Sequence, residues 1–262
     1  MPAARIKHVA FQSKDRPILK QFYQQLFGLK AFAGAGEEAG AMSDGYVGLN
    51  INPRSAGRHG GFDHFGVEVD DVERTYGLAN ERYPKIQLLK RPSGRPFASF
   101  GMHDPFGNVF DVTQRGLANR RDIYADDVQL ERTPRHITHF QLRTVDPELL
   151  VQFYQDVLEL EGEGYHLTDG VVTMVIAPWK ITDYEGMGIE LPALEHLGFQ
   201  VESLEQFDAD LEKLVQDHPE LAPRALKEND EGKARLKLFQ TCSYGQRHLA
   251  DPDGVLIDIS EG

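Results

Sequence analysis

The chain lacks the features typical of secreted, membrane-spanning or nucleic-acid-binding proteins. It has one cysteine, Cys242, so it forms no internal disulfide, which fits a reducing compartment. No apolar run reaches the length of a membrane span, and the first residues lack the apolar core of a signal peptide. The net charge of −13 disfavours nucleic acid and anionic membranes as partners. We therefore expect a cytoplasmic protein that binds neither.

The sequence repeats itself at an offset of 131 residues, which carries His8 onto His139. In each copy a run with apolar residues at helical spacing follows, and it opens with an acidic residue near a proline, a helix-start signal. Gly28 is expected to end the first of these helices. The apolar positions are Ile18, Leu19, Phe22, Tyr23 and Leu26 in one copy and Leu149, Leu150, Phe153, Tyr154 and Val157 in the other.

Each copy divides again into two units, so the pattern strand–helix–three strands is expected four times. With 262 residues and 40% hydrophobic content, the chain is long enough for two packed domains. We predict an α+β fold, with domain 1 over residues 5–115, a linker over 116–134 and domain 2 over 135–262. A polar stretch over residues 222–237 is the expected insertion of the second copy.

Both copies contain two histidines in strand-like runs and an aspartate that closes the phrase Asp-Pro-x-Gly-x-x-x-Asp. Two imidazoles and one carboxylate on a rigid sheet are the ligand set of an open divalent-metal site. This pattern makes metal binding the first functional hypothesis. The two sets are His8, His64 and Asp111 in the first copy and His139, His196 and Asp258 in the second.

A structural interpretation stands beside the metal hypothesis. A histidine on a sheet face is often a structural residue, and one copy can be a scaffold that retains inherited residues. The Asp-Pro-x-Gly phrase is a tight-turn signature that would position the last strand with or without a metal. We assign its first aspartates, Asp104 and Asp251, to folding. The aromatic pairs of the two helices are expected to be core residues.

These motifs together resemble the vicinal oxygen chelate superfamily, which includes glyoxalases, extradiol dioxygenases, epimerases and bleomycin-binding proteins. The resemblance covers nearly the whole chain. It implies four βαβββ modules paired into two domains, each a curled mixed sheet around a central site with helices outside. It also implies that both His–His–Asp sets are metal ligands and that the modules act on a small-molecule substrate. A homo-oligomer is compatible with this resemblance.

The family's carboxylate is most often Glu, whereas both copies here have Asp. The shorter side chain falls roughly 1–1.5 Å short unless the strand or the metal shifts. Asp is still a competent ligand for a divalent ion. The expected metal is Fe(II) or Mn(II), with Zn or Ni as alternatives.

The resemblance leaves several activities open. Extradiol-type cleavage of a catechol is the leading expectation, because those enzymes share the tandem layout. A glyoxalase- or epimerase-like lyase or isomerase is the alternative, with Glu68, Glu190 and Glu202 near the ligand strands. Non-catalytic binding of a small molecule, such as an antibiotic, is the third.

The second copy is expected to be the active half. His248 stands ten residues before Asp258, where the dioxygenase signature has Tyr, and imidazole can transfer protons near neutral pH. Gly101 holds that place in the first copy. Tyr244 is a second catalytic candidate, with His103 and His166 as weaker ones.

Overall fold

Each half of the chain builds one mixed β-sheet. The computed structural model describes residues 3–31, 40–91, 99–115, 132–180, 194–226, 230–242 and 244–262. The first half contains β1 (Ala4–Ser13), α1 (Arg16–Phe27), β2 (Lys30–Ala31), β3 (Ala41–Ser43), β4 (Gly48–Pro53), β5 (Gly61–Val69), α2 (Val72–Arg82), β6 (Leu89–Lys90), β7 (Phe100–His103) and β8 (Val109–Gln114).

The second half follows the same order up to its last module. It contains β9 (His136–Thr144), α3 (Pro147–Leu158), β10 (Glu161–Glu163), β11 (His166–Thr168), β12 (Thr173–Pro178), β13 (Leu194–Val201), α4 (Leu204–Asp217), a short 3-10 helix (Pro219–Leu221), α5 (Asp230–Phe239), β14 (Arg247–Ala250) and β15 (Leu256–Glu261). In the described chain, no helix has the length and apolar content that crossing a bilayer requires.

The two sheets have matching topology. The first has the order β2-β3-β4-β1-β5-β8-β7-β6 and the second β10-β11-β12-β9-β13-β15-β14. In each, the first strands of the two modules are antiparallel neighbours at the centre, and each pairs on its outer side with a parallel strand. This arrangement confirms the predicted α+β fold.

The fourth module departs from the predicted pattern. Three βαβββ modules are complete, but within the described residues the fourth has two strands after α4, and α5 precedes them. Helix α5 lies mostly in the stretch predicted to be an insertion. The predicted linker falls largely on residues 116–131, which lie outside the described residues.

Helices α1 and α3 begin at the acidic residues that the pattern predicted, and α1 ends at the predicted Gly28. Asp15 and Asp146 accept hydrogen bonds from backbone N–H groups in the first turns of α1 and α3. Gly28 ends α1 in the left-handed conformation, with φ of 70°. Its counterpart, Glu159, ends α3 with φ of 52°, although a residue with a Cβ adopts this conformation at a cost of roughly 1–2 kcal/mol.

The two halves pack against each other through reciprocal contacts. Tyr23 of α1 donates its hydroxyl to Asp251 Oδ2 at 2.9 Å, and Tyr154 of α3 donates to Asp104 Oδ2 at 3.0 Å. Each tyrosine thus binds the Asp-Pro-x-Gly turn of the other half, and one hydrophobic core spans both halves. These aromatic residues are buried as expected, and their hydroxyls have a second function that the pattern did not predict.

The Asp-Pro-x-Gly turns have the structural role predicted for them. Asp104 Oδ1 accepts hydrogen bonds from the backbone of its own turn, and Asp251 Oδ1 accepts three such bonds. Gly107 and Gly254 adopt φ of 86° and 101°, values that favour glycine. The turns hold β8 and β15, the strands that carry the candidate carboxylate ligands.

Candidate metal centres

The strand register places the first predicted triad on one face of the first sheet. His8 on β1 and Asp111 on β8 both pair with Gly66 on β5, and His64 stands two residues before that glycine. Side chains two residues apart in a strand share a face. His64 Nε2 lies 3.4 Å from His8 Nε2 and 3.1 Å from Asp111 Oδ2. The three predicted ligands therefore converge.

The second predicted triad forms in the same way on the second sheet. Gly198 on β13 pairs with both His139 and Asp258. Asp258 Oδ2 lies 3.2 Å from His139 Nε2 and 3.7 Å from His196 Nε2. Cys242 joins this cluster, so one donor atom from each of four residues lies within 4.8 Å of the others. The cysteine was not among the predicted ligands.

Two glycines make room for the second cluster. A Cβ on Gly198 would overlap the ring of His139, and a Cβ on Gly245 would overlap the carboxylate of Asp258. Both ligands lie directly against backbone at these points. The sequence at these two positions is therefore constrained by the packing of the ligands.

A carboxylate holds the second histidine of each triad. His64 Nδ1 lies 2.7 Å from Asp63 Oδ2, and His196 Nδ1 lies 3.1 Å from Glu195 Oε2. This contact fixes the ring orientation and directs Nε2 to the cluster, as carboxylate partners of metal-bound histidines do. Neither carboxylate was predicted from the sequence, although an acidic residue directly before each histidine was the available signal.

The two supporting carboxylates are themselves held by residues at equivalent positions of β1 and β9. Gln12 donates to Asp63 Oδ2 at 3.1 Å, and Arg143 donates through Nε to Glu195 Oε1 at 2.6 Å. The second support is more strongly charged and more buried. In both halves, a carboxylate holds the ligand histidine and a donor holds the carboxylate. The donor is an amide in the first half and a guanidinium in the second.

The charges of the first triad are strongly coupled. Burial and the charge of His64 lower the pKa of His8 to about 3, so His8 is neutral. Burial also disfavours the charged form of His64, but its hydrogen bonds to Asp111 and Asp63 outweigh burial and raise its pKa to about 9. The pKa of Asp111 is lowered: burial opposes the shift, but the hydrogen bond from His64 outweighs it. A divalent cation would replace the proton of His64.

In the second cluster, burial dominates the pKa shifts. It lowers the pKa of His139, which keeps that imidazole neutral, and it raises the pKa of the Cys242 thiol to about 12. Burial would also raise the pKa of Glu195, but the hydrogen bond from His196 and the charge of Arg143 lower it instead. Burial thus favours the neutral forms of His139 and Cys242 in this cluster.

The two clusters differ in exposure. The side chain of His64 is 15% exposed, whereas those of His139, His196 and Asp258 are at most 1% exposed. Phe239 of α5 covers the second cluster, with its ring 4.7 Å from that of His196. The first cluster is therefore the more accessible of the two.

Comparisons with known proteins agree with this architecture. Residues 136–259 match the model of the Glyoxalase/Bleomycin resistance protein/Dioxygenase superfamily. The first half repeats the same modules and the same triad. By sequence, the second half of the chain therefore matches this superfamily, as the resemblance predicted.

One curated protein is similar to this chain by sequence. The chain is 25% identical over 174 residues to a protein named "Probable lactoylglutathione lyase, chloroplastic" from Arabidopsis thaliana. That alignment covers 60% of this chain but only 45% of the relative, so the chain spans less than half of that protein.

The solved structures share the fold over the whole chain. The Mn(II)-bound glyoxalase from Novosphingobium aromaticivorans aligns with a TM-score of 0.62 and 15% identity, covering 100% of this chain and 83% of the other. The 2,3-dioxygenase LapB from Pseudomonas sp. KL28 aligns with a TM-score of 0.58 and 13% identity, covering 98% and 92%. Solved structures with this fold thus include a glyoxalase and a dioxygenase.

The donor spacing fits the metal that the superfamily implies. Donors bound to a divalent ion at about 2.0–2.2 Å lie about 2.8–3.1 Å apart in an octahedral shell and about 3.3–3.6 Å apart in a tetrahedral one. The donor separations in the structure are 3.1 and 3.4 Å in the first cluster and 3.2 and 3.7 Å in the second. The shorter Asp thus still reaches the histidine nitrogens in both halves.

His248 and Tyr244, the predicted catalytic residues, lie beside the second cluster. His248 pairs with Asp258 in the β14–β15 register, and its Nε2 is 3.5 Å from Asp258 Oδ1. The ring of Tyr244 packs on His139 at 4.6 Å and approaches His166 at 5.6 Å. Their catalytic role remains a prediction.

The remaining candidates have structural surroundings. His103 contacts the backbone of Asp104 and Gln87. Glu202 binds Arg135, and Glu68 lies near Arg115. The predicted base candidate Glu190 lies outside the described residues. No general base for the first cluster follows from these contacts.

Arg91 is a functional candidate that the sequence analysis missed. Gly101 stands opposite Asp111 in the β7–β8 register, as His248 stands opposite Asp258. Because Gly101 has no side chain, the guanidinium of Arg91 lies across it and donates to Asp111 Oδ1 at 3.2 Å. The first cluster thus has an arginine where the second has a histidine.

Proposed function

We propose that this protein is a metal-dependent enzyme that acts on a small substrate with two neighbouring oxygens, and that turnover occurs in the first half. The supporting observation is the convergence of His8, His64 and Asp111 with one partly exposed ligand. A triad of this type leaves one face of an octahedral ion open for substrate and oxygen. Fe(II) or Mn(II) is the ion that suits it best.

This assignment differs from the expectation based on His248, which favoured the second half. Exposure supports the change, because a substrate that binds the metal directly must reach it. The lining of the first sheet supports it too. Asn50 and Asn52 on β4 share the sheet face of His8, whereas the corresponding positions of β12 are Val175 and Ala177. Amide side chains can orient a polar substrate by hydrogen bonds.

The leading activity in this proposal is extradiol-type ring cleavage of a catechol. A bound Fe(II) would bring the catechol and dioxygen together on one ion. The residues of the chain would orient and stabilise the substrate. Arg91 donates to the proposed ligand Asp111, and its guanidinium would stabilise a deprotonated catechol oxygen at this site. Asn50 and Asn52 would hold the distal part of the ring.

Oxygen uptake tests this proposal. Protein reconstituted anaerobically with Fe(II) is mixed with simple and substituted catechols in an oxygen electrode, and the ring-cleaved product is followed by its absorbance. We expect His64→Ala to reduce the rate by about 100-fold or more, because it removes a ligand. His59→Ala, an exposed histidine of the same half, is the matched control. Uptake that is lost in His196→Ala but kept in His64→Ala would assign activity to the second half instead.

A lyase or isomerase of the glyoxalase type is the second candidate. The sequence similarity to the Arabidopsis protein named a probable lactoylglutathione lyase supports this candidate. This chemistry needs a metal that stabilises an enediolate and a base that moves a carbon-bound proton, without oxygen. Turnover of lactoylglutathione by the Zn- or Ni-loaded protein under nitrogen would favour it. Tight ligand binding by metal-free protein without turnover would favour the third alternative, non-catalytic binding.

A further inference from the structure

The second cluster has a donor that the first does not. Cys242 is buried beside His139, His196 and Asp258, and its sulfur is within 4.8 Å of their donor atoms. The first cluster, as far as the described residues show, has three donors. The two halves are therefore chemically different sites despite their common topology.

The insertion of the fourth module brings Cys242 to this place. Helix α5 ends at Phe239, and the backbone N–H of Cys242 donates to the Phe239 carbonyl at 3.0 Å in the tight turn that follows. Phe239 packs its ring on both His196 and His248 at 4.7 Å. The second module of the first half has no counterpart of α5 among its described residues. The extra donor thus comes from the segment that distinguishes the two halves.

An orphaned nitrogen points independently to a bound cation. His196 is fully buried, its Nδ1 contacts Glu195, and its Nε2 has no hydrogen-bond partner among the described residues. A buried polar atom without a partner costs roughly 1–3 kcal/mol. Nε2 is directed at the cluster that contains Cys242, and a metal ion there would satisfy it.

We propose that the second cluster binds one thiophilic divalent ion, of the Zn(II) class, through His139 Nε2, His196 Nε2, Asp258 Oδ2 and Cys242 Sγ. With four protein donors the site is closed, as structural zinc sites are. The bound ion would hold the turn after α5, which carries Cys242, against the strands that carry the other three ligands. His248 and Tyr244 then pack around the ligands and do not touch substrate. The assignment goes beyond the proposed enzyme activity and does not depend on it.

The number of protein ligands distinguishes the second cluster from the metal site of a dioxygenase. A catechol occupies two positions of an octahedral ion and dioxygen a third, which a three-donor triad leaves free. A fourth protein ligand leaves no position for dioxygen once the catechol is bound. Thiolate ligation also selects zinc-like ions over manganese. The closed second site and the open first site therefore suit different ions.

Cobalt(II) spectroscopy of the full chain tests the proposal directly. The first site is removed with His8→Ala/His64→Ala, and the metal-free protein is titrated with Co(II). We expect a sulfur-to-cobalt charge-transfer band in the near ultraviolet and intense visible bands of four-coordinate cobalt. Since Cys242 is the only cysteine of the chain, this thiolate band has one source.

Cys242→Ser in the same background is the matched variant. It should lose the charge-transfer band and bind Co(II) and Zn(II) at least about 10-fold more weakly. Absence of the band in the protein that retains Cys242, or an unchanged spectrum in Cys242→Ser, would overturn the proposal. If Cys242→Ser does not fold, the spectrum of the cysteine-containing protein still decides. Catechol turnover is measured separately, so its failure would leave this result intact.

Discussion

Asp251 gives the protein a pH-dependent stability that can be measured. Its carboxylate is fully buried in the turn before β15, where Oδ1 accepts three backbone N–H groups and Oδ2 accepts the Tyr23 hydroxyl. Burial raises its pKa from 3.8 to about 6, although the hydrogen bonds from Val255 N and Tyr23 oppose the rise. The folded protein therefore favours the neutral form of Asp251 more than the unfolded chain does.

The magnitude follows from linkage. A rise in pKa from 3.8 to about 6 corresponds to roughly 3 kcal/mol of free energy of unfolding. Because the folded pKa lies above the unfolded one, the native state binds more protons in this interval. The stabilisation is fully present below the unfolded pKa and is lost as the pH rises through about 6. Asp251→Asn cannot titrate and lacks this dependence.

Urea unfolding of metal-free protein in the presence of a chelator is the assay, since bound metal would stabilise the native state by mass action. From about pH 4 to about pH 7, the free energy of unfolding of wild type should fall by roughly 2–2.5 kcal/mol relative to Asp251→Asn, because part of the change already occurs below pH 4. Asp253→Asn, a partly exposed neighbour in the same turn, is the matched control and should keep the wild-type dependence. If Asp251→Asn and wild type follow parallel curves, burial of this carboxylate is not what raises its pKa.

Three further substitutions test the packing of the sites and of the halves. Gly198→Ala should abolish metal binding at the second site, because its Cβ overlaps the His139 ring; metal analysis showing full retention would contradict the packing. Asp63→Asn should weaken metal affinity at the first site by about 10- to 100-fold in competition with a chelator dye, because the amide holds the His64 ring less well. Phe27→Ala should lower the free energy of unfolding by roughly 3–5 kcal/mol in urea titration, since the buried Phe27 ring stacks at 4.0 Å on Phe199 of the other half. A loss below about 1 kcal/mol would refute this packing.

Local sequence patterns predicted much of the fold. The repeat identified the modules, and Asp15 and Gly28 marked the limits of the first helix because capping depends on neighbouring residues alone. The period of two in a strand placed His64 and Gly66 on one face, and the repeat indicated which histidines correspond. Both His–His–Asp sets could therefore be predicted without coordinates.

The tertiary structure decided the features that depend on contacts between distant segments. Cys242 enters the second cluster through the turn after α5, and Arg91 reaches Asp111 only because Gly101 leaves the strand surface free. Among its described residues the fourth module has α5 and two strands after α4, and no periodic signal in the sequence was strong enough to predict this departure. Which half is open and which is closed likewise depends on what packs over each cluster.

The sequence by itself indicated the resemblance to the superfamily, the doubled modules and the two triads, because each is encoded in short-range periodicity and in a repeat at constant offset. Only the tertiary structure showed that the two triads are not equivalent. Exposure, a fourth donor and the partner of each carboxylate are properties of side chains brought together from far apart. No spacing along the chain encodes them, since they depend on packing across strands and between the two halves.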